Sequence, residues 1–298
     1  MSVDKIYCMS SYLALRYIED DSKDFFEGLH HQKMPQVSED NKTKVRTAQE
    51  VDAAIRLTSS KEKNKRLGIL LSGGMDSAIL ASYMRGADAY TFRFLDGKFQ
   101  EDELRRAETY AEYCGLNLHY VDIDWNNTIK PHLDAVLKSK GAPVHSIEPQ
   151  IRQAAVQAKN DGIMEMIIGE SSDLKFGGMD QLLSQDWSLS DFKRRYIFTE
   201  PEKVLKETFD MSYLFNRYRK EEEQIDFLKF MDDVFSIESS GSYLNAFNSA
   251  GMAYIDPYAN LKMAEPLDLS RIRGGESKYL IRKLFSIKYP DIPVPEKV

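Results

Sequence analysis

Three short stretches carry the residue types that do chemistry. In the first, the apolar run Ile69, Leu70, Leu71 breaks abruptly into Ser72, Gly73, Gly74, Met75, Asp76 and Ser77. Glycines let backbone N–H groups come close to an anion, and a helix that follows adds partial positive charge. The hydroxyls of Ser72 and Ser77 can donate to phosphate oxygens. Asp76 would repel a phosphate on its own. It fits if it holds a divalent cation that bridges to phosphate. Read this way, the stretch is a cradle for pyrophosphate and magnesium. A bare strand–turn–helix connection would not need two serines, two glycines and an acid. No GK[ST] follows and no lysine sits in the loop, so it is not a Walker loop.

The second stretch, IIGESSDLKFGGMD at 167–180, also follows an apolar run and offers Glu170 and Asp173. By themselves these two acids also have a plainer reading as a charge pair at a helix start. The third, GGESKYLIRKLF at 274–285, offers Lys278. A cation there can stabilise negative charge growing in a transition state. The other reading is a solvated basic helix, which suits Arg271, Arg273, Arg282 and Lys283.

SGGMDS resembles the PP-loop, S-G-G-x-D-S, of the N-type ATP pyrophosphatases. Those enzymes cleave ATP between the α- and β-phosphates, adenylate a carboxylate or carbonyl oxygen, and release pyrophosphate. The second stretch resembles the asparagine synthetase pattern S-G-E-G-x-D-E-x-F-G-G-Y. Gly169, Glu170, Asp173, Phe176, Gly177 and Gly178 match, while Ile168, Ser171, Leu174 and Met179 depart. Its GGM ending is similar to the β-lactam synthetase branch, which has Tyr where this chain has Glu170. The third stretch resembles the family's G-x-x-K-x-x-L-R, with Lys278 as the aligned lysine.

The resemblance implies a role for each position. Asp76 and Asp173 would hold magnesium. Ser72, Gly73, Gly74, Ser77 and Gly169 would hold the nucleotide's pyrophosphate. Glu170 would sit near the acceptor amine as a base, and Lys278 near the α-phosphate or the tetrahedral intermediate. AYTFRF resembles the family strand F-[ST]-[IV]-G-F, which puts the backbone of Phe92, together with Leu71, at adenine. Both residues read as well as plain core. Arg93 replaces the family's glycine, either crowding the nucleotide or adding a phosphate contact. AYIDPYANLKMAEPLD resembles R-V-P-F-L-D only loosely, with Asn260 at the aspartate position, and is expected to be structural. The acceptor pocket is expected in 186–250, where Asp232, Asp233 and Glu238 are acidic candidates. Glu238 is the choice for an acid that assists the amine, set against a solvated helix face.

These residues need a frame. LGILLS, AYTFRF, NLHYVDID and IMEMIIG read as strands. DSAILASYMRG, EDELRRAETYAEYCG and PQIRQAAVQAKNDG read as helices between them. Leu104, Ala107, Tyr110, Ala111 and Cys114 should face inward, with Gly115 as a stop. Such alternation predicts an α/β fold: a doubly wound parallel sheet with helices on both faces, similar to the adenine nucleotide α-hydrolase-like fold, with a helical C-terminal part. QEVDAAIRLTSS at 49–60 reads as a helix. Residues 5–18 read as a short strand or hairpin piece, and 19–48 as an exposed polar connection. The stretch PEKVLKETFDMSYLFNRYRKEEEQIDFLKFMDDVF, from residue 201, reads as two charged helices. The domains are expected to be an N-terminal arm or partial strand unit at 1–50 and a synthetase unit at 51–298.

The chain has 298 residues, 42% hydrophobic and 29% charged, with net charge -7. This balance suits a soluble globular protein and argues against broad nucleic-acid contact. Cys8 and Cys114 form no CxxC pair, and the five histidines show no zinc spacing. No apolar run is long enough to span a bilayer and no signal peptide is evident, so a cytoplasmic protein without membrane contact is expected. Glutamine-dependent asparagine synthetases carry a cysteine after Met1. Residue 2 here is Ser, and the segment ahead of the loop is too short for a glutaminase.

The leading expectation is therefore an AMP-forming carbon–nitrogen ligase using ATP and Mg2+. It joins a small-molecule carboxylate, or a peptide, to an amine or to ammonia. A separate amidotransferase or biosynthetic partner is a further source of nitrogen. Two other readings stay open: a PP-loop enzyme that modifies a tRNA base, and a non-catalytic ATP-binding subunit.

Overall fold

The computed structural model describes residues 2–32, 34–35, 38–61, 65–95 and 101–295. Its centre is a five-stranded sheet built from β1 (Leu67–Leu70), β2 (Asp88–Phe94), β3 (Asn117–Ile123), β4 (Glu165–Ile167) and β5 (Ala253–Ile255). The spatial order is β3-β2-β1-β4-β5, and every neighbouring pair is parallel. The order reverses at β1. In open α/β sheets a crevice forms at such a reversal, outside the carboxyl ends of the strands. The loops after β1 and β4 both empty into it, and these loops carry the first two motifs.

The strands alternate between two cores, as period-two side chains must. Ile69, Leu71, Ala89 and Ile167 face one cluster, shared with α2 (Ala48–Lys61), α3 (Met75–Ala81), α4 (Glu101–Cys114) and α8 (Tyr279–Lys288). Tyr90, Met166 and Ile168 face the other, shared with α5 (Ile129–Lys140), α6 (Glu148–Asn160) and α7 (Ser236–Ala250). Along α4, Ala107, Tyr110, Ala111 and Cys114 are buried and Leu104 half-buried. Gly115 closes the helix with φ 64°. Gly68 shows how tightly β1 meets its neighbours: a Cβ there would lie 2.9 Å from the Met166 sulfur.

Three expectations are corrected. Residues 5–15 form a helix, α1 (Lys5–Leu15), rather than a strand piece. Asp4 caps it by accepting the N–H of Tyr7 at 3.0 Å. The buried residues Tyr7, Cys8, Ser11, Ala14 and Leu15 fall on one helical face. Residues 19–48 are not a purely exposed connection. Lys23–Asp24 pair in parallel with Ser2–Val3, Thr43–Val45 pair with Leu261–Met263, and Asp24, Phe25 and His31 are buried.

The charged stretch after 200 is broken into short helices at Pro201–Val204, Ser212–Asn216 and Phe227–Phe230, and a π turn at Met231–Phe235 leads into α7. Its aromatic residues dictate the breaks, because they must converge. Phe215 and Phe230 stack with ring centroids 5.0 Å apart, and Phe192 meets Phe230 edge-on at 5.1 Å. Tyr7, Cys8, Ala14 and Leu15 of α1 belong to this same third cluster. Among the described residues no helix is long and apolar enough to cross a membrane.

Candidate active site

The loop after β1 is held in shape by its own serines. The Ser77 hydroxyl, nearly buried, accepts the Ser72 N–H at 3.1 Å and lies 3.1 Å from the Ser72 carbonyl oxygen. The two hydroxyls sit 3.0 Å apart, and Ser72 Oγ accepts the Gly74 N–H at 3.2 Å. Gly73 is fixed by its neighbour: a Cβ would fall 2.3 Å from the Glu103 carbonyl oxygen in the first turn of α4. From the same helix, Arg106 Nε donates to the Gly73 carbonyl at 2.9 Å. Arg106 carries no motif signal, and only the fold brings it to the loop.

The three motifs meet at one cation. Lys278 Nζ lies 2.5 Å from Asp76 Oδ2 and 2.9 Å from Asp173 Oδ1. Lys278 is buried and has φ 53° at the start of α8, a left-handed backbone that only over-determined surroundings keep in a lysine. Burial alone would lower its pKa. The charges of Asp76 and then Asp173 outweigh burial, and the net shift is upward. Asp76 Oδ1 is buried and has no hydrogen-bond partner among the described residues. Two glycines give the acids room. A Cβ at Gly178 would lie 1.9 Å from Asp173 Oδ1, and one at Gly169 would lie 3.3 Å from Asp76 Cβ. The buried Tyr258 hydroxyl donates to the Asp76 carbonyl at 3.1 Å.

Beside this centre lies a cavity of about 770 Å³, lined among others by Glu170, Asp173, Gly178, Glu238 and Arg16. Glu170 accepts the Ser239 hydroxyl. Burial, then the charge of Asp256, pushes its pKa up to about 8 against a hydrogen bond from Tyr243. Asp256 accepts N–H bonds from Ser171 at 2.8 Å and Tyr258 at 3.0 Å, yet burial still raises it to about 6. Sequence reasoning treated the segment around Asp256 as structural only. Burial raises Glu238 too, opposed by Arg16. Glu238 is thus on a cavity wall and not on a solvated face. Asp232 pairs at 2.7 Å with the largely buried Lys175, and both line a smaller cavity of about 280 Å³ together with Glu170 and Asp173, while Asp233 pairs with Lys229 at 2.8 Å as an exposed ion pair.

Leu71 joins the end of β1 to Ser72. The Leu71 side chain is in the core on one sheet face, and Phe92 packs half-buried against the other. Arg93 is engaged on the sheet itself. It makes a two-pronged pair with Asp122, 2.6 and 2.8 Å, and its Cζ lies 4.5 Å from the Tyr120 ring centroid. Leu174, in place of the family's glutamate, packs against the aromatic cluster. Both cysteines are buried free thiols, and the histidines pair with Asp24, Asp88, Arg16 and Arg152.

An amidase chry2 from Gibberella zeae is 28% identical over 131 residues, which is 44% of this chain and 19% of that protein. The chain thus spans about a fifth of that relative's length. Among solved structures, the U34-tRNA thiolase NcsA from Methanococcus maripaludis shares 15% identity at a TM-score of 0.33, covering 84% of this chain and 82% of that one. An NMN synthetase from Francisella tularensis shares 14% at 0.32, covering 70% and 94%. Residues 48–250, more than half of the chain, match asparagine synthase; the chain belongs to the asparagine synthase family, whose members use ATP.

Proposed function

We propose that the chain is an ATP- and magnesium-dependent ligase that forms a carbon–nitrogen bond through an acyl-adenylate. The observation that carries this reading is the convergence of Asp76 and Asp173 on the Lys278 ammonium, at the reversal point of the sheet. The two acids bring carboxylates together where a divalent cation could bridge to phosphate, with the Lys278 ammonium beside them.

The residues present fit magnesium. That ion takes one or two carboxylates, with phosphates and waters completing its shell. Asp76 and Asp173 supply two carboxylates, and Asp76 Oδ1 has no hydrogen-bond partner among the described residues. Bound there, magnesium would neutralise phosphate charge.

The chain's own residues then have distinct tasks. The Ser72–Ser77 loop, braced by Arg106, holds the leaving pyrophosphate. A substrate carboxylate oxygen attacks the α-phosphorus, and the bond to the β-phosphate oxygen breaks. Lys278 stays beside the charge that builds at this centre. An amine next attacks the acyl carbon, AMP leaves, and Glu170 takes the amine's proton. A carboxyl raised to about 8 is a better match to an ammonium proton than an ordinary glutamate.

The test is pyrophosphate release from ATP and magnesium with panels of carboxylates and amines, comparing the wild type with Asp76→Asn. Release that depends on a carboxylate and is lost in the variant is expected. Release undiminished in Asp76→Asn would refute the proposed role of that acid.

A further inference from the structure

One wall of the large cavity lies outside the family match. The end of α1 brings Ala14, Leu15 and Arg16 to it, ahead of residue 48. Arg16 takes a left-handed backbone where the helix stops, φ 63°, with its N–H bonded to the Tyr12 carbonyl at 2.7 Å. Glycine adopts that conformation without strain. A long charged residue there points to a use for its side chain.

The guanidinium is held but not saturated. Its Cζ lies 4.0 Å from the ring centroid of Phe198, an exposed aromatic on the same cavity. Nη1 lies 2.8 Å from His145 Nε2 and donates to Glu238 Oε1 at 3.3 Å. Burial, and then the charge of Arg16, lowers the His145 pKa. Nε and Nη2 make no hydrogen bond among the described residues. Glu238 therefore engages one corner of a fork that is shaped to take a carboxylate two-pronged.

The cavity itself sets the scale of the guest. Its volume of about 770 Å³ falls in the roughly 300–1,000 Å³ range that encloses a drug-sized molecule. Tyr196, Phe198 and Phe235 give it aromatic walls. We infer that Arg16 is a specificity-determining residue that holds a second carboxylate of the substrate, whose apolar or aromatic body fills the cavity between Arg16 and the reacting carboxylate. This rests on the ligase reading for which carboxylate reacts, but the recognition of the second carboxylate is separately measurable.

The experiment pairs two probes that differ by one carboxylate, 4-phenylbutanoate and 4-(4-carboxyphenyl)butanoate, titrated calorimetrically into the full chain. The wild type is expected to bind the dicarboxylate about tenfold more tightly, the scale of one charge-assisted pair. Arg16→Gln keeps the left-handed strain and should bring the two probes to within about twofold while leaving 4-phenylbutanoate unchanged. Arg16→Lys should restore only part of the preference, since it lacks the fork. Equal affinity for the two probes, no binding of either, or an Arg16→Gln variant that weakens both alike would overturn the assignment. The last outcome would make Arg16 only a partner of Glu238. Pyrophosphate release is followed in parallel. An Arg16-dependent preference without release under any condition would sink the ligase reading and leave the recognition standing.

Discussion

Asp76 and Asp173 reach the same ammonium, that of Lys278, from loops on neighbouring strands of the sheet. Removing one acid leaves a buried lysine half-compensated. Breaking a buried pair in this way costs about 3–5 kcal/mol. Asp76→Asn should lower the thermal midpoint measurably as well as abolish pyrophosphate release. A variant as stable as the wild type would show that the ion pair adds nothing to folding.

Gly178→Ala tests the fit of Asp173. The added methyl would lie 1.9 Å from Asp173 Oδ1, so the carboxylate must move. Overpacking of this kind costs about 1–3 kcal/mol, and the displaced acid should reduce turnover at least about tenfold. Unchanged steady-state rates would mean that Asp173 tolerates displacement and is not tied to the reaction.

Glu170 predicts a pH dependence of stability. Its carboxyl moves from an ordinary value of 4.5 up to about 8 on folding. Between those values the folded chain keeps a proton that the unfolded chain has released, so this group's contribution falls as pH rises through the window. Asp256, raised to about 6, acts in the same direction over a lower range. Glu170→Gln should therefore gain on the wild type in urea midpoint as pH goes from 5.5 to 8.5. Parallel pH profiles for the two proteins would rule this out.

Phe230 sits at the centre of the aromatic cluster that holds α1 against the short helices. Phe230→Ala should destabilise by about 3–5 kcal/mol. Hydrogen exchange should also quicken in α1, although Phe230 lies far from it in the chain. Loss confined to residues 212–235 would mean that α1 is held by something else.

The sheet and the two acidic loops were legible because their signals are local. Leu67–Leu70 is apolar because it is buried on both faces, and SGGMDS follows it at once. Lys278 was legible as a candidate, but its bond to both acids was not, since α8 reaches the crevice only through packing. The α1 face was hidden by tyrosines and serines that also suit strands. Arg16 and Arg106 lie in stretches without a motif, and Asp256 lies in one that matches the family pattern only loosely. Their partners are Glu238, Gly73 and Ser171, all remote in sequence, so nothing short of the tertiary fold pairs them.

The boundaries of the recognisable family segment and of the assembled site do not coincide. Residues 48–250 contain both acids and the loop, but not Arg16 on one side or Lys278 on the other. A chimera or a minimised protein cut at those limits would keep every motif of the first two stretches. It would lose the counter-ion that holds the acids together and one wall of the cavity. The transplantable unit therefore starts no later than α1 and ends no earlier than α8.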